Sequence, residues 1–481
     1  MIGYKQIFYV LGLLLILMGM AMLIPASVDI IYNNKDWEVF VLSSAIAIFL
    51  GGLMSIPTRD VGGNLNKREL LILIPLAWIT MPSIATLPIY TSELGLSFTD
   101  AYFESLSGMT TTGATILSNL DNAPPGILLW RSILQWMGGI GIVIMASGLL
   151  PIAQVGGMQL LQLEFDSRME KILPRTAQLS LVIVLLYSAI TLVCACLYFI
   201  FGMSGFDAIN HAMTTVATGG YSTHDASIGY FNNDKIIITS IIFMIISSFS
   251  FVMIITTVRG QIGELFRDVQ AKWLITILST VTIYMVYKNI NSFDNLYDNI
   301  LHTTFTITSL ITGTGYTTFN YNLWGTVTVP LLVLIMIMGG SAGSTTCGIK
   351  MFRLKIMFET INSYLKNLIQ PNGVFLPYYG KKSISQDVSI SVIGYLVVFL
   401  FTLLIFTIVF SALGYDIVTA LSAASSALSC VGPGIGDIIG PNSNYGDVST
   451  SFKWVFTFGM LIGRLEIFTV LVLLSPSFWN K

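Results

Sequence analysis

Stretches of roughly twenty apolar residues recur from one end of this 481-residue chain to the other, and about twenty residues is the length a helix needs to cross the hydrocarbon core of a bilayer. No water is available there, so a crossing element must satisfy its own backbone N–H and C=O groups, which leaves few folds open. Composition agrees. Hydrophobic residues make up 54% of the chain and charged residues only 10%, where soluble domains carry about a quarter charged. Mean hydropathy is +0.78. An ordinary globular protein is excluded, lipid is the expected surrounding, and nothing points to nucleic acid as a partner.

Ten spans are read by length and hydrophobicity, at roughly 5–25, 38–57, 70–88, 127–150, 178–202, 235–258, 272–290, 327–350, 388–413 and 453–475. The first run is too long for a signal-peptide core and no small-residue cleavage site follows it, so it is expected to stay. An even number puts both ends on one side. With the N-terminus inside, the inner segments hold 17 of the 23 Lys and Arg, among them Arg168, Lys171, Arg175, Lys381 and Lys481, and the outer segments hold five. Arg464 alone lies within a span. The positive-inside rule therefore puts both termini in the cytoplasm. Cys194 and Cys196 lie mid-span with no histidine near them, and Cys347 and Cys430 lie in Gly-rich segments, so all four cysteines read as small buried hydrophobes.

After the first two spans, every outer connection follows one plan. A span ends, a carboxylate follows, a stretch of some 12–16 residues comes next, and a Thr/Gly-rich knot leads back into a span. The four versions start at Asp100, Asp207, Asp298 and Asp416 and end in TTTGAT (110–115), ATGGYS (217–222), TGTGYTT (312–318) and CVGPGIG (430–436). Gly113, Gly220, Gly315 and Gly432 superimpose, spaced 107, 95 and 117 apart. This is an internal repeat of about a hundred residues. It divides the chain into two extra spans (1–68) and four repeats (69–177, 178–270, 271–387 and 388–481). Each stretch before a knot suits a half-membrane helix, its carboxylate serving as cap or dipole partner at the N-terminus.

Non-helical backbone at membrane depth survives only where protein or a water-filled path satisfies it. Glycine permits the angles that turn successive carbonyls toward one axis. Four such loops around an axis would replace the water shell of an alkali cation with carbonyl oxygens. No Asp or Glu lies in the knots, which argues against a divalent-cation filter of side chains. The outer face carries 15 of the 25 carboxylates, a surplus that concentrates cations at the mouth or merely keeps loops soluble.

The fourfold span–loop–span plan, with TTTGAT, ATGGY, TGTGY and CVGPG in order, resembles the Trk/Ktr/HKT superfamily of cation transporters. The two extra N-terminal spans and the length make it most similar to the membrane-subunit type of Trk potassium uptake, over essentially the whole chain. The resemblance implies ten transmembrane helices around a pseudo-fourfold pore in a bacterial cytoplasmic (inner) membrane, with potassium as the transported ligand and no covalent cofactor. It implies a filter of backbone carbonyls from Thr111, Thr112 and Gly113, from Thr218, Gly219 and Gly220, from Thr314 and Gly315, and from Cys430, Val431 and Gly432. In the family, glycine at all four filter positions goes with potassium preference and serine at the first with sodium. It also implies a homodimer with one pore per copy and a cytosolic nucleotide-binding regulator, reached through the basic connections 151–177 and 351–387. No NAD or ATP motif is present in this chain itself.

Two further features carry the same resemblance. The stretch 338–350 reads MGGSAGSTTCGIK, and so much Gly and Ser, at about 1 kcal/mol per Gly relative to Ala, should break a helix. In the family this segment is a gate, here Gly339, Gly340, Gly343, Ser344, Thr345, Thr346 and Gly348; close packing of small residues is the other reading. Arg464 costs several kcal/mol inside a span unless it has a cavity or partner. The resemblance puts it in the pore as a barrier, while an ion pair with Glu466 or an interfacial anchor remain alternatives. A secondary transporter coupled to protons or sodium is the rival function, although its repeats are commonly inverted whereas these share one orientation. An inert assembly subunit is a third, and it predicts that all four glycines tolerate serine. The GxGD of Gly434–Asp437 with Tyr415–Asp416 mimics an intramembrane protease, but no full span separates the two carboxylates, so an enzyme is not expected.

Overall fold

The computed structural model describes residues 4–59, 65–146, 176–261, 263–290, 292–380 and 382–479. Arg168, Lys171, Arg175, Lys381, Lys481 and nearly all of the 151–177 connection lie outside the described residues. The first two helices, α1 (Tyr4–Ile31) and α2 (Trp37–Ser55), form a tight antiparallel pair. Glycines set its closeness: a Cβ on Gly12 would lie 2.6 Å from the Gly51 carbonyl, and one on Gly51 equally close to the Gly12 carbonyl. Small residues let lipid-embedded backbones approach in this way. The buried Asp29 of α1 accepts the Gly126 N–H at 2.7 Å, which docks the pair onto the start of a later helix.

The rest of the chain runs α3 (Lys67–Thr91), α4 (Phe98–Met109), α5 (Pro125–Ile144), α6 (Thr176–Ile200), α7 (Gly205–Val216), α8 (Asp234–Ser247) and α9 (Phe251–Val258). It continues through α10 (Gly263–Arg267), α11 (Val269–Lys288), α12 (Leu296–Ile311), α13 (Val329–Ile337) and α14 (Met351–Ile369). The last elements are a two-residue hairpin, β1 (Tyr378–Tyr379) with β2 (Lys382–Ser383), then α15 (Gln386–Ala412), α16 (Ile417–Ser429), α17 (Thr450–Leu465), α18 (Ile467–Leu474) and α19 (Pro476–Trp479).

Among the described residues seven helices are long and apolar enough to cross a membrane: α1, α2, α3, α5, α6, α11 and α15. Three of the ten expected spans are not straight helices. The 235–258 span bends by 101° between α8 and α9, and the 453–475 span by 102° between α17 and α18. Ser248–Phe249–Ser250 interrupts the first, and Glu466, at φ 63°, turns the second. The 327–350 span keeps only the nine residues of α13, and 338–350 is non-helical. The 338–350 stretch lies against the first interruption, where its unladdered backbone finds partners.

Candidate functional site

The short helices α4, α7, α12 and α16 each lead into one of the four knots. Two of the starts are capped by serines three residues before the expected carboxylates. Ser97 and Ser204 cap α4 and α7 by accepting the N–H of Asp100 and Asp207 at 3.2 and 3.1 Å. Asp100 and Asp207 return the contact by accepting the serine hydroxyls at 2.8 and 2.7 Å. Asp298 sits in the first turn of α12, and Asp416 alone is the cap residue itself, accepting from Val418 and Thr419. A negative group at each N-terminus complements the helix dipole, whose partially negative end points at the knot.

The helix ends match one another more closely still. Thr112 donates its N–H to the Ser107 carbonyl (2.9 Å), Gly219 to Thr214 (2.8 Å), Thr314 to Ser309 (2.9 Å) and Val431 to Ser426 (3.0 Å). This closure, five residues back, needs a left-handed residue one position earlier. Thr111, Thr218, Gly313 and Cys430 supply it, at φ 54°, 51°, 68° and 51°. Three of the four carry a side chain there, at about 1–2 kcal/mol each, the kind of strain that functional sites hold. Two residues on, Gly113, Gly220, Gly315 and Gly432 are again left-handed, at φ 79°, 79°, 79° and 100°.

These glycines touch in a closed ring. A Cβ on Gly113 would lie 2.1 Å from the Gly219 oxygen, on Gly220 1.8 Å from that of Thr314, on Gly315 2.1 Å from that of Val431, and on Gly432 2.6 Å from that of Thr112. Each partner precedes the glycine of the next loop in chain order, and the fourth contact returns to the first loop. All eleven residues proposed for the filter lie in these four loops. No donor among the described residues reaches the carbonyls of Thr112, Thr314 or Val431. These residues are at most 1% exposed, and an orphaned buried acceptor costs about 1–3 kcal/mol. Two glycine carbonyls are already engaged: Gly219 accepts from Gln135 Nε2 at 2.7 Å, and Gly432 from Ser426 Oγ and Tyr445 Oη at 2.8 and 2.7 Å. Gly219 precedes Gly220 and Gly432 is one of the four glycines, so one carbonyl is engaged in each set, that of the preceding residues and that of the ring glycines. Those of Gly113, Gly220 and Gly315, like those of Thr112, Thr314 and Val431, meet no donor among the described residues.

A buried ion pair braces the first two loops. Arg131 Nε donates to Glu104 Oε1 at 2.7 Å, and its other nitrogens donate to the Ser222 carbonyl and Thr115 Oγ1, both at 3.1 Å. Glu104 Oε2 accepts the Ile116 N–H, and the guanidinium lies 4.0 Å over the Tyr221 ring. Gln135 adds a second clamp by accepting the Tyr221 N–H at 3.1 Å while holding Gly219. Sequence reasoning missed this brace. The signal is there, charged and amide side chains in a mostly apolar run, but Glu104 lies 27 residues before Arg131 and no spacing rule pairs them.

Beside these loops, His224 ties Asp121 to Asp207 through a hydrogen bond from Nδ1 to Asp121 and contact of Nε2 with Asp207 at 3.5 Å, stacked on Tyr230. Burial lowers its affinity for a proton, but Asp207 and Asp121 outweigh burial and raise its pKa above 6.5. The protonated imidazolium thus stabilises the folded loops. That contribution is complete below about 6.5, the unfolded value, and is lost as pH rises through the raised folded value. Thermal melts in detergent are expected to fall across neutral and mildly alkaline pH, with His224→Asn flattening that slope; equal slopes would mean the bridge carries no linkage.

The 338–350 segment lies against the ring. It doubles back on itself, with Gly339 N–H to the Ile349 carbonyl and Ile349 N–H to the Ile337 carbonyl, both at 2.9 Å. Gly343 and Gly348 are left-handed, and a Cβ on Gly339 would lie 1.8 Å from the Cys347 oxygen. The segment also fills the α8–α9 interruption: Ser341 donates to the Ser248 carbonyl, Phe251 to the Gly343 carbonyl, and Thr345 Oγ1 to the Ser247 carbonyl. Ser344 and Thr346 share a hydroxyl bond within it, and Gly340 N–H donates to Thr346 Oγ1. Thr218 Oγ1 reaches Thr345 Oγ1 at 3.1 Å, a direct link from segment to ring. Residues 339–347 are all buried.

Arg464 spans the same junction. Its Nη1 donates to the Thr345 carbonyl at 3.2 Å and to Cys347 Sγ at 2.8 Å, and its Nη2 to the Gly138 carbonyl at 2.9 Å. Arg464 is 1% exposed. The alternative pairing with Glu466 does not occur. Glu466 accepts instead from Arg353 at 2.5 Å, across the bend that turns the Glu466 side chain away from Arg464. Among the described residues no group of three or more His, Cys, Asp or Glu side chains could hold a metal ion.

The chain matches the family model described as TrkH, cation transport protein, over residues 37–481. It belongs to the TrkH family. The Trk system potassium uptake protein TrkI of Halomonas elongata is 36% identical over 99% of this chain and 97% of its own length. The TrkH protein of Escherichia coli is 34% identical over 99% and 100%. The crystal structure of the potassium transporter TrkH from Vibrio parahaemolyticus matches with a TM-score of 0.92 at 32% identity, covering all of both chains. TrkH-family membership makes this chain a multi-pass membrane protein of a transport family rather than an enzyme.

Proposed function

We propose that this chain carries potassium into the cell through a channel-like pore whose filter is the four-loop ring and whose gate is the 338–350 segment with Arg464. The observation that carries the reading is the closed sequence of contacts from Gly113 through Gly220, Gly315 and Gly432 back to Thr112. A ring of backbone carbonyls offers partial charge without a trapping full charge, which suits a hard monovalent cation that must also leave. The named relatives are potassium uptake proteins, in keeping with that cargo. The four repeats, two additional N-terminal spans and cytoplasmic termini in a bacterial inner membrane complete the proposed architecture. The partners are a second copy of the chain and a cytosolic nucleotide-binding subunit that docks on 351–387 and the 151–177 connection.

The test is cation flux into liposomes holding the purified chain, wild type against Gly113→Ser. Wild type is expected to take up potassium and rubidium well ahead of sodium. A serine Cβ at 113 would meet the Gly219 oxygen at 2.1 Å, so the ring must reshape, and the sodium-to-potassium ratio is expected to rise by about tenfold, some 1.4 kcal/mol. Unchanged selectivity would remove Gly113 from the filter. The two spans bent by about 100° are also what a coupled transporter uses around a mid-membrane site. Reversal potentials that move with pH at fixed potassium would favour that second reading.

A further inference from the structure

A cavity of about 480 Å3 opens between α11, α14 and the β1–β2 hairpin. α11 is long and apolar enough to cross a membrane, and the cavity follows its first two turns, from Val269 to Ile277. At 1.5 Å per residue that is a depth of about 12 Å. The headgroup layer on each side of a bilayer is only about 5–7 Å thick, so such a cavity reaches from headgroups into hydrocarbon. The hairpin closes the Val269 end, where a Cβ on Gly380 would lie 3.8 Å from the Val269 side chain. Lys272 stands in the first turn there, exposed, and its ammonium has no partner among the described residues. Lys355 of α14 reaches in beside it, bonded to Glu359, with its Nζ 5.3 Å over the Trp273 ring. Trp273 packs in turn on Phe358 of α14, with ring centroids 5.1 Å apart.

Two lysines against one glutamate leave the cavity one positive charge in excess, and the lining then turns apolar toward Ile277. A groove filled by water alone has no need of the apolar floor, and one filled by hydrocarbon alone has no need of the lysines. An amphiphile with an anionic head uses both. With the termini inside, as proposed, the Val269 end faces the cytoplasm, where the membrane surface is negative and basic pockets between spans take anionic headgroups. We propose that this cavity holds an anionic phospholipid, its phosphate between Lys272 and Lys355 and an acyl chain along Trp273 and Ile277. Glu359 steers Lys355 but repels the same phosphate, so it limits the affinity. The occupant braces α14, which begins directly after the 338–350 segment, against α11. The binding depends on which face of the chain is inward and not on the pore.

The probe is palmitoyl-oleoyl phosphatidylglycerol added to the full chain in detergent and read by native mass spectrometry, with phosphatidylcholine as the neutral comparison. Phosphatidylglycerol is expected to bind more tightly than phosphatidylcholine. Lys272→Gln and Lys355→Gln should each weaken it by about fivefold, the weight of one lysine near an anionic membrane surface, and leave phosphatidylcholine unmoved. Glu359→Gln should tighten it by a similar factor, a gain that loss of a merely structural ion pair does not produce. Lys288→Gln, at the opposite end of α11, is the control and should change nothing. Melting temperatures taken without lipid establish that each variant folds. An equal loss in Lys288→Gln would reduce the effect to unspecific charge. Displacement of the lipid by millimolar inorganic phosphate would make this a site for a soluble anion. A dimer that excludes the lipid while the monomer binds it would assign the cavity to a contact between copies. Any of the three overturns the proposal, as does Glu359→Gln binding phosphatidylglycerol no better than wild type.

Discussion

Gly220→Ala is expected to cut potassium flux by about a hundredfold or more, the equivalent of about 3 kcal/mol, in a chain that still folds. At φ 79° any L-residue pays about 1–2 kcal/mol, but that cost alone is common to many turns. What singles out position 220 is space, since the new Cβ would lie 1.8 Å from the Thr314 oxygen and 2.9 Å from its carbon. Backbone, rather than a flexible side chain, would have to move, and it is the backbone that bears one of the unpartnered carbonyls. Gly414→Ala supplies the control. Its φ of 96° is equally left-handed, yet nothing lies within 4 Å of the added Cβ. Gly414→Ala should lose about 1–2 kcal/mol of stability by thermal melting, Gly220→Ala more, and only Gly220→Ala should lose flux. If Gly220→Ala melts normally and conducts like wild type, the ring is not the path.

The legible part of this site was its periodicity. Repeats of about a hundred residues pointed to four loops, and the Gly and Ser of 338–350 pointed to a broken helix, because glycine and helix-breaking chemistry are local properties of sequence. The closure of each short helix was not legible. Thr111, Thr218 and Cys430 adopt left-handed angles against their own preference, and only the surrounding packing imposes that. Pairings between residues distant in sequence were hidden for the same reason. Glu104 and Arg131 stand 27 residues apart, Arg353 and Glu466 113 apart, and no spacing rule connects them. The two bends at Ser248–Ser250 and Glu466 escaped because hydropathy averages over a window and registers length, not direction.

Braces within each repeat explain why four loops of unlike sequence can close one ring. Each loop has the same backbone but a different outer brace. Glu104 holds the first through Thr115 and Ile116, His211 the second through Ser222, and His302 the third through Thr318. The fourth uses Ser426 and Tyr445 on the Gly432 carbonyl. Backbone geometry is thus shared while side-chain support is free to differ, which lets one repeat change its bracing without breaking the symmetry that an ion would meet.

Arg464→Ala is expected to raise resting flux by on the order of tenfold to a hundredfold, up to the ceiling set by a fully open path. Two of its three hydrogen bonds end on the 338–350 segment, at the Thr345 carbonyl and Cys347 Sγ, and the third on Gly138 of α5. A bond to a charged group contributes about 1.5–3 kcal/mol, and bonds made only in the closed arrangement bias the closed population by that amount. Arg464→Lys separates the two ways the arginine could act. A charge barrier survives in lysine, so flux would stay low. A clamp does not, because one ammonium cannot reproduce the planar fork that spans Thr345 and Gly138, and flux would rise as in alanine. Deleting 339–348 should raise flux by the same route, and adding Arg464→Ala to the deletion should then do little, since contacting elements of one device are not additive. Should Arg464→Ala fold, as judged by its melt, and yet carry no more potassium than wild type, the segment is packing rather than a gate.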